Sequence, residues 1–419
     1  MTLIGRLKEN IRFQTANTIV CSQSLAQRIK TRGIPHRVHF ERSYEGQNIL
    51  LLALYQRGQL RPDLLNLLTA AKESGLYVIG VNTQKVDHPN QLQDVIDCYI
   101  ERPNFGRDFG SYKQGFQKIL NGGWDHRCQR LLMLNDSVFY SQTNLASFLE
   151  QLIHSDSEVI GATENHEIEH HLGSFCIAYS GSILRNPKFQ AFWKKYRNTD
   201  VRQQVIKRGE MNLSKTLRRC VSAPHQMKAL YDLAWLSEQI KRDPQIVNEL
   251  SNTTQTTVRP DWPRPTIKRV AERVRQKYVF NNLGTGSSEN EIKADLDSIE
   301  VQFATNATEL TNAMAKAMDE KDDVIEERIV QEAKNELLES FTCGSQIHQN
   351  AILLYFLGMP IIKADCVYRG MLSISDVENL ASRLGETEQA HFKSLLYSRQ
   401  SGLTAHVGWK RTAWMYGLI

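Results

Sequence analysis

Residues 102–115 read RPNFGRDFGSYKQG, and Asp108-Phe109-Gly110 has the letters of a kinase magnesium loop. That chemistry needs a Gly-rich loop, a strand lysine and an upstream His-Arg-Asp catalytic loop. No His-Arg-Asp and no G-x-G-x-x-G precedes Asp108, and the residues ahead of it are too few for a kinase small lobe plus a catalytic loop. The kinase reading is excluded. What the stretch does offer suits an anion. Gly106 and Gly110 permit close backbone approach, Arg107 can meet a phosphate, and a helix expected from about Ser111 would turn its N-terminus toward the ligand. A second set, Asn135-Asp136-Ser137, directly follows the apolar run RLLMLN. An aspartate at the end of a buried strand suits a divalent cation carrying a diphosphate. Either set alone also reads as a turn or a helix cap. Together, at equivalent strand ends, they point to a nucleotide-diphosphate site.

A third pattern competes. Residues 166–170 spell His-Glu-Ile-Glu-His, a match to H-E-x-x-H. Zinc peptidases carry that motif on a helix, where the two histidines share a face and the glutamate reaches the metal-bound water. The flanking segments EVIGATE (158–164) and SFCIAYSG (174–181) are strand-like and leave no room for a helix. His225 or Glu210 would have to supply the third ligand.

These groups need a scaffold that brings strand ends together. Residues 49–54 are a continuous apolar run of strand length. Pro62 can open a helix whose apolar face is Leu64, Leu65, Leu67, Leu68 and Ala71, Gly75 stops it, and Leu76–Val81 is a second buried strand. This β-α-β unit predicts an α/β fold with a mostly parallel sheet covered by helices on both faces. Strands are expected at 95–101, 130–135, 158–164 and 174–181. Tyr112, Phe116, Ile119 and Leu120 make a helical stripe closed by Asn121-Gly122-Gly123, and 186–196 reads as a further helix. Residues 253–265 and 281–290 are loop-like. Met314, Met318, Ile325, Ile329, Ala333 and Leu337 predict one amphipathic helix over 310–338. The expected organisation is a basic, partly helical N-terminal extension (1–47), a nucleotide-binding domain (48–225), a mainly helical insertion (226–340) and a C-terminal part completing the domain (341–419).

RPNFGRDFGSYKQGF, LLMLNDSVFY and HHLGSFCIAYSGSIL followed by FWKKY, in that order, resemble the rhamnan synthesis protein F family. Those proteins are bacterial glycosyltransferases of polysaccharide assembly, and the element order is similar to the wider GT-A glycosyltransferases. The resemblance runs from about 48 to 220 and resumes in QIHQNAILLYFLGMPIIKADCVYRG (346–370). It implies a GT-A-like, Rossmann-type sheet with a helical insertion. It also implies transfer of a sugar, rhamnose being the one the family name suggests, from a nucleotide-diphosphate donor to a surface polysaccharide such as O-antigen or to a lipid-linked glycan. Residue by residue, it implies that Asn104, Gly106, Arg107, Asp108 and Gly110 line the donor pocket. Asp136 would stand where GT-A enzymes carry the metal-binding Asp-x-Asp. With one carboxylate in Asn135-Asp136-Ser137, a Mg²⁺ or Mn²⁺ would be held mostly by diphosphate and water, and metal dependence stays open. GEMNLSKTLRR (209–219) resembles the acidic helix start that carries the base of many GT-A enzymes. Glu210 is therefore, with Asp136, the candidate catalytic residue, or else a helix N-terminal acid that complements the dipole. Glu164, His170 and His171, in a polar loop over the acceptor side, and His348 are candidates to bind sugar hydroxyls. The rival from another class is a nucleotide-sugar or glycan-binding protein of the same fold without turnover, with the zinc peptidase third.

The net charge of +5, from 51 basic and 46 acidic residues, suits an anionic ligand and is too small to argue for nucleic acid. Seven cysteines with no C-x-x-C pair predict a reducing, cytoplasmic setting. The longest apolar run, AILLYFLGMPII, is about half of the ~20 residues a spanning helix needs. The closing HVGWKRTAWMYGLI mixes Trp409, Lys410, Arg411, Trp414 and Tyr416. That mixture suits peripheral contact at the inner face of a membrane, or simple packing on the domain.

Overall fold

A computed structural model describes residues 3–243, 245–249, 266–282, 307–318 and 321–419. Among these the cysteines are all free thiols.

The strands are β1 (Arg37–Glu41), β2 (Ile49–Leu54), β3 (Tyr77–Asn82), β4 (Cys98–Glu101), β5 (Arg130–Asn135), β6 (Val138–Tyr140), β7 (Val159–Gly161), β8 (Glu164–Asn165), β9 (His171–Leu172), β10 (Cys176–Ser180), β11 (Met227–Ala229) and β12 (Ile361–Lys363). Eight of them form one sheet in the order β1-β4-β3-β2-β5-β10-β7-β11. Its heart, β4-β3-β2-β5, is parallel, as is β7 with β11, while β1 and β10 run antiparallel to their neighbours. The fold is thus α/β with a mixed, mostly parallel sheet.

Alternation along β2 explains how the sheet is covered. Leu50, Leu52 and Leu54 face a core shared with helix α2 (Pro62–Glu73) and with helix α4 (Leu145–Ile153). Ile49, Leu51 and Ala53 face a second core shared with α3 (Arg107–Asn121) and the helix Pro187–Lys195. Each such fully buried leucine contributes about 1.5–3 kcal/mol. In α2 the fixed φ of Pro62 opens the helix and the left-handed Gly75 (φ 72°) follows its last turn, as the sequence predicts. Leu64, Leu67, Leu68 and Ala71 are buried, but Leu65 lies outside the face. α3 sits so close to β2 that a Cβ on Gly115 would overlap Leu51 Cδ1. Gly115→Ala is therefore expected to lower stability by about 1–3 kcal/mol in urea unfolding; an unchanged midpoint would show that Leu51 repacks freely.

Several expected boundaries move. β4 starts at Cys98; just ahead of it the Asp97 carboxylate meets Lys72 (2.7 Å) and accepts from the backbone N–H of Val78 (2.8 Å). EVIGATE breaks into β7 and β8, and β8 turns into a hairpin with β9. The basic segment ahead of residue 48 holds a 29-residue helix, α1 (Leu3–Thr31), and β1, which extends the sheet beyond β4. β11, inside the stretch read as insertion, closes the other edge. The amphipathic stripe of 310–338 is carried by two helices, Ala307–Met318 and Asp322–Ser340, the second opening on Asp322 and Asp323, which suit a helix N-terminus. Ile325, Ile329, Ala333 and Leu337 are buried, as their spacing predicts. The loop reading of 253–265 and most of 281–290 lies outside the described residues, although Asn281 and Asn282 close the helix Ile267–Asn282. The C-terminal aromatics pack inward. Trp414 is 7% exposed, Phe13 of α1 meets Tyr416 at 4.9 Å, and the Tyr416 hydroxyl donates to Glu9 at 2.7 Å. Among the described residues, no helix is long and apolar enough to cross a membrane.

Candidate functional site

The glycine-rich motif is built around a buried arginine that spacing alone did not single out. Arg102, directly after β4, donates through Nη1 to the carbonyls of Pro103 (3.0 Å) and Phe105 (2.6 Å). Its Nη2 reaches the carbonyl of Arg107 (2.6 Å) and its Nε the Ser111 hydroxyl (2.9 Å). This fork ties the loop into one shape. Gly106, left-handed at φ 97°, donates its N–H to Asp200 Oδ1 at 2.6 Å. Arg107 is left-handed too (φ 50°), a conformation that costs a non-glycine residue about 1–3 kcal/mol. α3 consequently begins at Arg107 rather than near Ser111, and Asp108, Phe109 and Gly110 belong to its first turn. Gly110 admits the fork: a Cβ there would lie 2.7 Å from Arg102 Nη2. Asn104 is exposed, its carbonyl accepting from Gln27 of α1 at 3.0 Å.

At the end of β5, Asn135 donates to Asp108 Oδ2 (3.0 Å) and accepts from the Ser137 hydroxyl (2.6 Å). Ser137 in turn accepts from Lys363 of β12 (2.7 Å). Asp136 points elsewhere. Its Oδ2 accepts from the backbone N–H of Tyr55 (2.6 Å) and from the Gln56 amide, stitching the ends of β2 and β5 together. Burial pushes the Asp136 carboxyl up to about 6, against the pull of the Tyr55 N–H, Arg61 and Gln56. Burial also raises Asp108, although Lys363 and Arg107 favour its charged form. At Asp136 only Oδ1 is free of hydrogen bonds, and among the described residues it joins no set of three metal-ligating groups. The side chains there could hold a divalent ion only jointly with a ligand's phosphates.

Glu210 does not start a helix. The helical backbone begins at Arg202, and Glu210 lies in a π-helical turn, Ile206–Met211, in its middle. The helix-dipole alternative for this residue is therefore removed; such turns recur at functional positions. Its partner is His171 of β9, at 3.4 Å and almost wholly buried. Burial pushes the Glu210 carboxyl up, but His171, Arg202 and Lys363 outweigh it and hold it below the ordinary glutamate value. Burial likewise lowers His171, and Glu210 outweighs it, so the imidazole titrates above the ordinary value. His348 pairs with Asp365 at 3.1 Å, and Arg369 reaches the same carboxylate at 3.3 Å. Despite its burial, Asp365 is held well below the carboxylate range by His348, Lys363 and Arg369. Lys363 thus lies within electrostatic reach of Asp108, Glu210 and Asp365. It is the bridging residue that sequence reasoning missed, although it stands in the segment quoted for the family resemblance.

A pocket beside this cluster is lined by Glu167, Arg202, His348, Arg369, Met371 and Trp414. Burial and then Arg202 lower the basicity of Arg369. Burial lowers that of Arg107; Asp108 and Asp200 oppose the shift, and Arg202 and Arg399 add to it. Arg369 has Asp365. Among the described residues neither the Arg107 nor the Arg202 guanidinium makes a hydrogen bond or an ion pair. Asp108, Asp200 and Glu210 lie within electrostatic reach but leave both guanidinium groups without a direct contact, an arrangement open to an anion.

The remaining candidates, Glu164 and His170, lie on the β8–β9 hairpin, not in the cluster. His170 Nε2 meets Glu164 at 2.8 Å. The H-E-x-x-H motif spans the hairpin turn, so it lacks the helical geometry a zinc peptidase uses.

Residues 76–249 match the family model described as rhamnan synthesis protein F. The chain is 27% identical over 177 residues to the uncharacterized protein y4gN of Sinorhizobium fredii (strain NBRC 101917 / NGR234), which is 41% of this chain and 46% of that one. It is 35% identical over 93 residues to the virulence protein VirA of Vibrio anguillarum, 22% of this chain and 28% of the other. The chain therefore spans less than half the length of these curated relatives. Among solved structures, the mannosyltransferase PcManGT from Pyrobaculum calidifontis, in complex with GDP-Man and Mn²⁺, is 10% identical. That match covers 83% of this chain and 95% of that one at a TM-score of 0.25, which carries no weight for function.

Proposed function

We propose that the chain is a glycosyltransferase that takes a nucleotide-diphosphate sugar and extends a bacterial polysaccharide or lipid-linked glycan, with rhamnose the first sugar to test. The observation that carries the reading is the pair of arginines, Arg107 and Arg202, whose guanidinium groups make no direct ion pair among the described residues, beside Asp108 and Asn135 at the ends of parallel strands. In open α/β sheets that is where phosphorylated ligands bind. The match to rhamnan synthesis protein F supports the sugar chemistry. The diphosphate would lie against Arg107 and Arg202, with the N-terminus of α3 behind Arg107. A divalent ion shared with the diphosphate would take Asp136 Oδ1 and help neutralise the leaving group. Glu210, kept ionised by His171, would take the proton of the acceptor hydroxyl, and Lys363 would balance the surrounding carboxylates. The enzyme would work in the cytoplasm.

Calorimetry with a panel of nucleoside diphosphates and their sugars, with and without Mn²⁺, tests this. One nucleotide is expected to bind selectively. Arg202→Gln should weaken it about tenfold or more, the equivalent of about 1.4 kcal/mol. Asp136→Asn should weaken it chiefly when Mn²⁺ is present. No binding of any nucleotide in either condition would remove the glycosyltransferase reading. Binding without turnover, with acceptor glycans and metal supplied, would turn it into the nucleotide-sugar-binding one.

A further inference from the structure

The β8–β9 hairpin gathers three groups that the proposed transfer does not use. Glu164, His166 and His170 each offer a ligand atom, and these atoms lie within 4.8 Å of one another; no other such set of three occurs among the described residues. Glu164 Oε1 is 2.8 Å from His170 Nε2, and Glu164 Oε2 is 3.5 Å from His166 Nε2. The two imidazole rings are 5.0 Å apart. A tetrahedral ion with ligands at about 2.0–2.1 Å separates them by about 3.3 Å. The spacings here straddle that value, so closing on an ion needs shifts of no more than about 1.5 Å.

A second observation is independent of the spacing. His166 Nε2 is a buried atom that makes no well-formed hydrogen bond; its one charged neighbour, Glu164 Oε2, stays at 3.5 Å. Buried polar nitrogens are nearly always satisfied, and one left over beside a carboxylate and a second imidazole asks for a ligand. Its backbone is fixed, because the His166 N–H donates to the Gly344 carbonyl at 2.6 Å. Two imidazoles and one carboxylate suit a borderline transition cation far better than Mg²⁺ or Ca²⁺, which prefer oxygen.

We propose that Glu164, His166 and His170 bind a divalent transition cation of the zinc class, which clamps the hairpin at the rim of the cleft. The residue after His170 is His171, which faces Glu210. The clamp would therefore fix the position of the group that tunes Glu210, and the site stands whether or not the chain transfers sugars. Arg218 is the one neighbour that must yield. Its guanidinium meets both His170 Nδ1 and the His170 carbonyl, the latter at 2.6 Å. Metal at Nε2 puts the ring proton on Nδ1, so Arg218 would keep only the carbonyl.

The test uses the full chain, stripped with a chelator and titrated with Co²⁺, whose d–d absorption reports an ordered site. One equivalent is expected, displaced by Zn²⁺. His166→Ala should weaken binding by at least about 100-fold, beyond the range of outer-shell losses. Asp136→Asn should leave it unchanged, which separates this ion from one held by a donor diphosphate. Arg218→Gln, which cuts the contact with His170 without removing a ligand, should retain the Co²⁺ bands. Circular dichroism and melting confirm that each variant folds. Three results would overturn the site: no Co²⁺ bands in the unaltered protein, bands that persist in His166→Ala, or a loss in Arg218→Gln equal to that in His166→Ala.

Discussion

Glu210→Gln is expected to lower kcat by about 10²–10⁴-fold, the usual range for a lost general base, and to leave nucleotide binding nearly unchanged. Glutamine keeps the shape of the side chain and its place in the π-helical turn but cannot take a proton. The His171 pair gives the prediction a pH signature. Glu210 is held below its ordinary value, so its carboxylate, and the stability the pair contributes through it, is present above the ordinary glutamate range. Both are lost as pH falls through the depressed value. His171 is held above its ordinary value, so its contribution is full below the ordinary histidine range and lost as pH rises through the raised value. The pair is complete between about 4.3 and 6.5 and weakens on either side. In Glu210→Gln the acid limb of kcat should vanish, and the His171 imidazole, followed by NMR, should titrate lower, because burial is then opposed only by the Glu169 carbonyl and Glu167. A variant with near-normal kcat and reduced stability alone would make Glu210 a structural partner of His171 and leave the base unassigned.

The sequence showed the parallel heart of the sheet because β2, β3 and β5 are uninterrupted apolar runs, and such runs survive only when both faces are covered. It showed α2 because Pro62 and Gly75 mark both ends. β1 was hidden: RVHFE alternates polar and apolar residues, but over only five positions at the sheet edge, where even Val38 stays exposed. The start of α3 was misplaced for a conformational reason. Arg107 in a left-handed backbone has no residue-type signature, and it is held there by Arg102, whose fork is visible only in three dimensions. Asp108 and Asn135, 27 positions apart in the chain, are joined by a hydrogen bond, so the two segments singled out in the sequence do meet in space. Lys363 and Arg202 were out of reach of that reasoning, since they come to the cluster from elements far away in the chain. Glu210 was found by resemblance, but its partner His171 was read as a sugar ligand, and only packing shows that its ring is turned to Glu210 instead.

Arg102→Met is expected to have the largest effect on stability, about 3–5 kcal/mol in urea unfolding, and to abolish nucleotide binding even where the variant still folds. Arg102 is 9% exposed, and its guanidinium supplies four hydrogen bonds, three of them to backbone carbonyls of the loop. Methionine fills similar volume but leaves those carbonyls without a donor in a dry setting, which is the costly way to lose a buried charged hydrogen-bond centre. Burial pushes the Arg102 guanidinium down to about 10, while Asp108 and Asp200 favour its charged form. It therefore stays a cation at neutral pH, and removing it unbalances both acids. Arg102→Lys should rescue little, because an ammonium cannot serve acceptors spread across a planar fork. Among the described residues no other side chain donates to the Arg107 carbonyl, and the Gly106–Asp200 bond would be left to hold the turn, so Arg107 would relax and α3 would fray at the turn that carries Asp108. The companion Gly110→Ala presses a Cβ against the same guanidinium and should cost less, about 1–3 kcal/mol, because the fork survives displaced. If Arg102→Met unfolded within 1 kcal/mol of the unaltered chain and bound nucleotide equally well, the loop would owe its shape to Gly106 and Asp200 instead, and Arg102 would be a passive core residue.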